Sequence, residues 1–235
     1  MEILVLSPCS GDKRYDGGLD CTTVDDTPRA DLCKQYPDRV APAADLYTGD
    51  EHSHVSAAVD ALSDLATVDW RIVSAGFGVV QPDTPLPAYD CTFSEMDAVR
   101  TRASRAGYTV GDLTNAETIQ AVGREKGIPQ ALEETLANEY DLVVVVLGKS
   151  YLLALDDALE TIPETTTAVA FAAAGNNHLL GACHWHPATE TERAALETTW
   201  TRLRGLLLRE IAASATEADL KRAIEEPDHL QTIWE

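Results

Sequence analysis

Apolar residues fall along the chain in short unbroken runs and in helical stripes. Ile3-Leu4-Val5-Leu6 predicts a first buried strand over 2–6, ending at Ser7-Pro8. A second strand is predicted over 69–74, a third over the valine-rich stretch 141–147, and a fourth over 166–174. Runs without polar alternation belong to strands buried on both faces. Between them, Val55, Ala58, Val59, Leu62 and Leu65 form the apolar stripe of a helix over 54–66. Further helices are predicted over 94–106, 115–126 and 129–138, the last two broken at Gly127, with Pro129 suited to a first helical position. Two helices are expected from 191 to the end, Ser214 and Glu217 being spaced as a capping box for the last. Residues 9–42 are polar and rich in Gly, Asp and Thr. They predict a long loop with a short helix over 29–36, the part from 16 to 42 reading as an insertion.

Strands separated by helices predict the α/β class: one domain over 1–235, with a four-stranded, mainly parallel sheet, helices on both faces and a helical region over 191–235. In such sheets ligands bind beyond the carboxyl ends of the strands, near the switch in strand order. Those ends are 7–15, 74–78, 148–151 and 175–178, and they hold most of the chain's unusual residues.

Charge changes the picture of where this fold works. The formal net charge is -21, from 39 acidic and 18 basic residues, and the lysines are confined to Lys13, Lys34, Lys126, Lys149 and Lys221. A carboxylate-rich, lysine-poor surface suits a halophilic cytoplasm, where salt screens self-repulsion and repulsion from phosphate alike. The charge therefore does not exclude a nucleic-acid partner. The apolar runs are far shorter than the ~20 residues of a membrane helix, and no basic stretch precedes the first run, so neither a membrane span nor a signal peptide is expected. Cys9, Cys21, Cys33, Cys91 and Cys183 are odd in number and widely spread, which argues for a reducing interior and against a disulfide framework.

The candidate chemistry starts at Pro8-Cys9-Ser10-Gly11-Asp12-Lys13-Arg14-Tyr15. A thiol just past a buried strand, followed by a glycine turn and two cations, has the setting of an activated cysteine; a structural thiol in a tight turn is the alternative. Asp90, after Tyr89 in a Pro-rich loop, either activates water or caps a turn. Gly76 and Gly78 flank Phe77 and permit close backbone approach to a ligand. Gly148-Lys149-Ser150 follows a buried strand but lacks the earlier glycine of a phosphate loop, leaving Lys149 as a phosphate contact or a plain surface lysine. His178 suits proton transfer. Cys183, His184 and His186 have zinc-ligand chemistry, but no second cluster matches their spacing, so no metal or other cofactor is assigned. Arg100, Arg102 and Arg105 form a basic patch that either grips phosphates or pairs with Glu95 and Asp97.

Two resemblances add to this reading. Pro8, Cys9, Lys13 and Tyr15 resemble the Pro-Cys-x3-Lys-Pro-Tyr signature of the cysteine-containing domain of archaeosine synthase, although Arg14 replaces the second proline and no Ser-x2-His follows. Over 3–93 the chain also resembles a family of microbial proteins with a Pro-Cys start, in its Ala43-Ala44-Asp45-Leu46-Tyr47-Thr48-Gly49, Ser74-Ala75-Gly76-Phe77-Gly78 and Pro87-Ala88-Tyr89-Asp90 elements. Both look similar to the α/β architecture of uracil-DNA glycosylases. The resemblance implies an enzyme acting on a nucleobase or modified base of tRNA or DNA. Cys9, Lys13, Asp90 and His178 would be its catalytic residues, and Ser10, Tyr15, Tyr47, Gly76, Phe77, Gly78, Tyr89 and Lys149 its substrate contacts. One pocket is expected to gather Cys9, Lys13, Phe77, Tyr89 and Asp90, with His178 at its rim. A glycosylase-like hydrolase and a non-catalytic nucleotide- or partner-binding module are the alternatives.

Overall fold

A computed structural model describes residues 1–234. Its strands are β1 (Glu2–Pro8), β2 (Leu19–Asp20), β3 (Val40–Pro42), β4 (Thr67–Ser74), β5 (Gly78–Val80), β6 (Pro85–Pro87), β7 (Tyr89–Asp90), β8 (Leu142–Val145), β9 (Thr167–Ala172) and β10 (His184–Pro187). The main sheet has the order β10-β9-β8-β1-β4-β5. All its neighbours pair in parallel except β5, which runs antiparallel to β4. The mainly parallel α/β class is as expected, but the sheet has six strands where the apolar runs indicate four. β5 was missed because it is three residues long, turned back on β4 through Gly78 at φ 74°. β10 was missed because its sequence, His-Trp-His-Pro, is no apolar run.

Ile3 through Leu6 are fully buried in the centre of the sheet, with Val5 opposite Trp70 on one side and Val144 on the other. Side chains alternate faces along a strand. Ile3, Leu142, Val144 and Phe171 meet Leu62, Leu208, Ile211, Leu220 and Leu230 from the helices Asp50–Ser63, Leu203–Ser214, Glu217–Glu225 and His229–Trp234. Leu4, Leu6, Val143 and Val145 point the other way and are equally buried. One contiguous core results, running from Ile3 to Leu230.

Three further expectations are corrected. Among the described residues the C-terminal region holds four helices, Glu190–Ala195 and the last three named above, where two were expected. The capping box of Glu217–Glu225 is formed by Thr216 and Asp219, while Ser214 ends the preceding helix. The Ser/Thr-x-x-acid spacing occurs twice in overlap there, so the sequence admits both. The basic patch is structural, with different partners: Arg102 makes two 2.8 Å bonds to Asp25, Arg105 pairs with Asp26, and Arg100 donates to the Val110 carbonyl and to Asn115.

The polar segment 16–42 is ordered and stitched to the Pro-rich segment: β2 pairs with β7, and β3 with β6. Cys21 and Cys91 form a disulfide across 70 residues, against the expectation of none. Linear spacing cannot reveal it, because the two cysteines meet through the β2–β7 pairing.

Candidate functional site

The chain leaves β1 for β4 on one side and later returns to β8 on the other, so the strand order switches at β1 and β8. A cleft of about 490 Å³ opens beyond their carboxyl ends, where α/β sheets hold ligands. Residues 8–12 line it from β1, Gly148 to Tyr151 from β8, and residues 49–52 from the start of the Asp50–Ser63 helix. Arg202 and Arg204 close it from the C-terminal region.

Cys9 is 7% exposed, and its Sγ lies 3.1 Å from the Tyr151 hydroxyl. Behind them, Ser74 Oγ accepts from the N–H groups of Gly76 (3.2 Å) and Phe77 (2.9 Å), and so gives its own hydrogen to the Tyr89 oxygen at 2.7 Å. The Tyr47 hydroxyl lies 2.8 Å from that same oxygen. The Tyr47 and Ser74 hydroxyls on the Tyr89 oxygen, and the Tyr151 hydroxyl on the Cys9 sulfur, make a cage of polar groups behind the thiol. Burial pushes all three tyrosines above their ordinary value, and charge on Cys9 adds to the effect, which keeps them protonated as donors.

Lys13 stands beside the cage. Its Nζ donates to the Ser10 and Gly11 carbonyls (3.1 and 3.2 Å) and lies 4.4 Å above the Tyr89 ring. Burial pulls its pKa down, while Cys9, Asp90 and Asp12 pull it back up.

The expected single pocket is divided. Cys9, Ser10 and Lys149 line the main cleft. Lys13, Tyr15, Tyr89 and Asp90 line a neighbouring cleft of about 270 Å³ that shares Gly11 and Asp12 with it. Gly76 and Phe77 border a third depression, toward Lys126. Tyr47, a member of the cage, is buried and lines none of these clefts. Gly76 makes room for a side chain of this protein, since a Cβ there would sit 2.7 Å from the Tyr89 ring. Gly78 serves the turn, with the Lys126 carbonyl 2.6 Å from where its Cβ would be. Tyr89 is no free stacking surface: it is 1% exposed, with Lys13 over its ring and Phe77 packed edge-on at 4.9 Å. His178 is exposed in a 3-10 helix after β9, two strands from β1, and lines none of these clefts. Among the described residues no group of three or more His, Cys, Asp or Glu side chains is placed to hold a metal ion.

The structure adds residues that no motif marked. Tyr151 reaches Cys9 from the helix Lys149–Ala154. Glu51 and Arg204 form an ion pair on the cleft wall, Arg204 Nη2 lying 3.0 Å from Oε1 and 3.3 Å from Oε2. His52, 3% exposed, donates from Nε2 to the Ala44 carbonyl at 3.0 Å, so its buried Nδ1 is an acceptor without a protein partner. Burial lowers its pKa and favours this neutral form.

A model of a family of unknown function, DUF6884, matches residues 32–175, more than half of the chain. The protein belongs to the DUF6884 family. The matched segment contains Tyr47, Glu51, Ser74, Tyr89, Asp90 and Tyr151, so most of the cage is DUF6884 sequence. Cys9 and Lys13 precede that segment, and Arg204 follows it. No curated protein matches this DUF6884 chain.

Proposed function

We propose that the protein is a thiol-dependent enzyme that acts on a nucleobase or modified base, free or in tRNA or DNA, with Cys9 as the nucleophile. One observation carries the reading: Cys9 lies at the switch-point cleft with the Tyr151 hydroxyl 3.1 Å from its sulfur. A hydroxyl donor of this kind stabilises a thiolate, the reactive form of cysteine, and Lys13 adds a positive charge nearby. A cleft of about 490 Å³ is in the range that takes a small organic ligand. The match of Pro8, Cys9, Lys13 and Tyr15 to the archaeosine-synthase signature supports a modified base as that ligand. A site at a parallel-sheet switch point also accords with a glycosylase-like architecture.

In this reading the sulfur adds to an electrophilic carbon of the base, such as a nitrile carbon. With Phe77 and Tyr89 packed against each other and Lys13, the base is held by the polar edge of the cleft rather than by stacking on them. His178 lies away from the cleft and Asp90 in the neighbouring one, so proton transfer falls to other groups. A partner-binding module would offer a flat apolar face; the surroundings of Cys9 are instead concave and rich in polar side chains.

The test is mass spectrometry of nucleosides from cells lacking the gene, and from the same cells carrying the wild-type or Cys9→Ser protein. The reading predicts loss of a modified nucleoside, or accumulation of its precursor, that only the wild type reverses. Identical nucleoside profiles in all strains would overturn it.

A further inference from the structure

The start of the Asp50–Ser63 helix is fastened to the turn that carries Cys9. The Gly49 N–H donates to Ser10 Oγ at 3.0 Å, and a Cβ at Gly49 would fall 2.2 Å from that oxygen, so only glycine allows the approach. Glu51 is two residues further on. On its far side the Leu203–Ser214 helix packs against it through Gly205, where a Cβ would lie 2.6 Å from the Glu51 carbonyl oxygen. Arg204 then reaches both carboxylate oxygens, and Oε1 is closed to solvent. The Glu51 side chain is 17% exposed and that of Arg204 20%. The pair is built into the cleft wall, and the Glu51 charge is felt at Tyr151, the residue bonded to the Cys9 sulfur.

We infer that Glu51 is the proton carrier of the Cys9 reaction and that Arg204 is the positioning residue that holds its carboxyl group at the cleft. The inference rests on the reading of Cys9 as a nucleophile. At the start the thiol proton is lost to water, and the Glu51 carboxyl holds a proton drawn from water. The sulfur then forms a bond to the carbon of a C–N multiple bond, one π pair moves to nitrogen, and nitrogen takes the proton from Glu51. The net change is addition of S–H across the C–N bond, with nothing oxidised or reduced.

Several charged or titratable groups surround Glu51. Arg204 contacts it, and the Arg202–Asp50 pair, His52 on its own helix, Lys149 and Tyr151 on the helix after β8, and Asp12 on the loop after β1 line the same cleft. Burial raises the Glu51 carboxyl to about 6, against the pull of Arg204. A carboxyl in that range both takes and gives a proton near neutrality.

Two probes separate the roles. Iodoacetamide alkylates sulfur without protonating anything, whereas 2-cyanopyrimidine forms a thioimidate that requires a proton on nitrogen. In Glu51→Gln, nitrile addition should slow about 100-fold while iodoacetamide alkylation changes less than about twofold. In the wild-type protein, which needs no variant to fold, the ratio of nitrile to iodoacetamide rates should fall about tenfold per pH unit above the Glu51 value. A ratio independent of pH, or a Glu51→Gln protein in which both rates fall together or neither falls, overturns the role of Glu51. If the probes modify Cys9→Ser as fast as wild type, the nucleophile itself is wrong, and the broader reading fails with it.

Discussion

The Arg102 side chain is 3% exposed and yet carries a full charge, which only Asp25 makes tolerable. The two 2.8 Å bonds from Arg102, and a third from Lys126 at 2.8 Å, converge on one carboxylate. Burial alone would raise the Asp25 pKa; the bonds from Arg102 and Lys126 outweigh it and hold the group below its ordinary 3.8. Removing one partner of a buried pair leaves an uncompensated charge. Asp25→Asn should therefore cost about 3 kcal/mol in denaturant unfolding at neutral pH. The sign with pH follows from the depressed value: this stability is present above pH 3.8 and is lost as pH falls through the folded value. The difference between wild type and Asp25→Asn should shrink in that acid range. Equal stability of the two at neutral pH would contradict this account.

Elements were legible in the sequence where one pattern dominated. β1, β8 and β9 are apolar runs, β4 carries Trp70, Ile72 and Val73 between polar residues, and the helices around Gly127 are separated by a residue at φ 64°, which glycine adopts freely. β5 and β10 were illegible because a short hairpin return and a polar edge strand carry no such run. The part of the site on strand ends, Cys9, Ser10 and Lys149, could be read from position after buried strands. Glu51, His52 and Arg204 could not, since they reach the cleft only through packing of the Asp50–Ser63 helix on Leu203–Ser214, a contact more than 140 residues apart in sequence. Gly205, which lets the two helices approach, and Gly49, which fastens the helix start to Ser10, are the local traces of this arrangement. Gly76 was legible as a point of close approach, but what approaches is Tyr89.

The whole molecule carries a net charge of -21 on one compact core. Electrostatic self-repulsion of that size opposes folding most at low ionic strength. The Debye length is about 30 Å at 0.01 M salt but only about 3 Å at 1 M. The halophilic reading therefore predicts a thermal midpoint that rises steadily from low salt to molar KCl. A midpoint as high at low salt as at high salt would show that the acidic surface has another purpose.

The most direct test of the central claim is the order in which the free thiols react with limiting iodoacetamide, read by peptide mass spectrometry of the folded protein. Cys9 is buried, whereas Cys33 and Cys183 are half-exposed. Exposure alone would place Cys9 last. Burial raises the thiol pKa of Cys33, and that of Cys183 to about 12, while Cys9 alone of the three has a tyrosine hydroxyl at its sulfur, with Lys13 nearby. The account predicts that Cys9 is labelled first, at least about tenfold faster than either. Labelling of Cys33 or Cys183 with Cys9 left unmodified would contradict it.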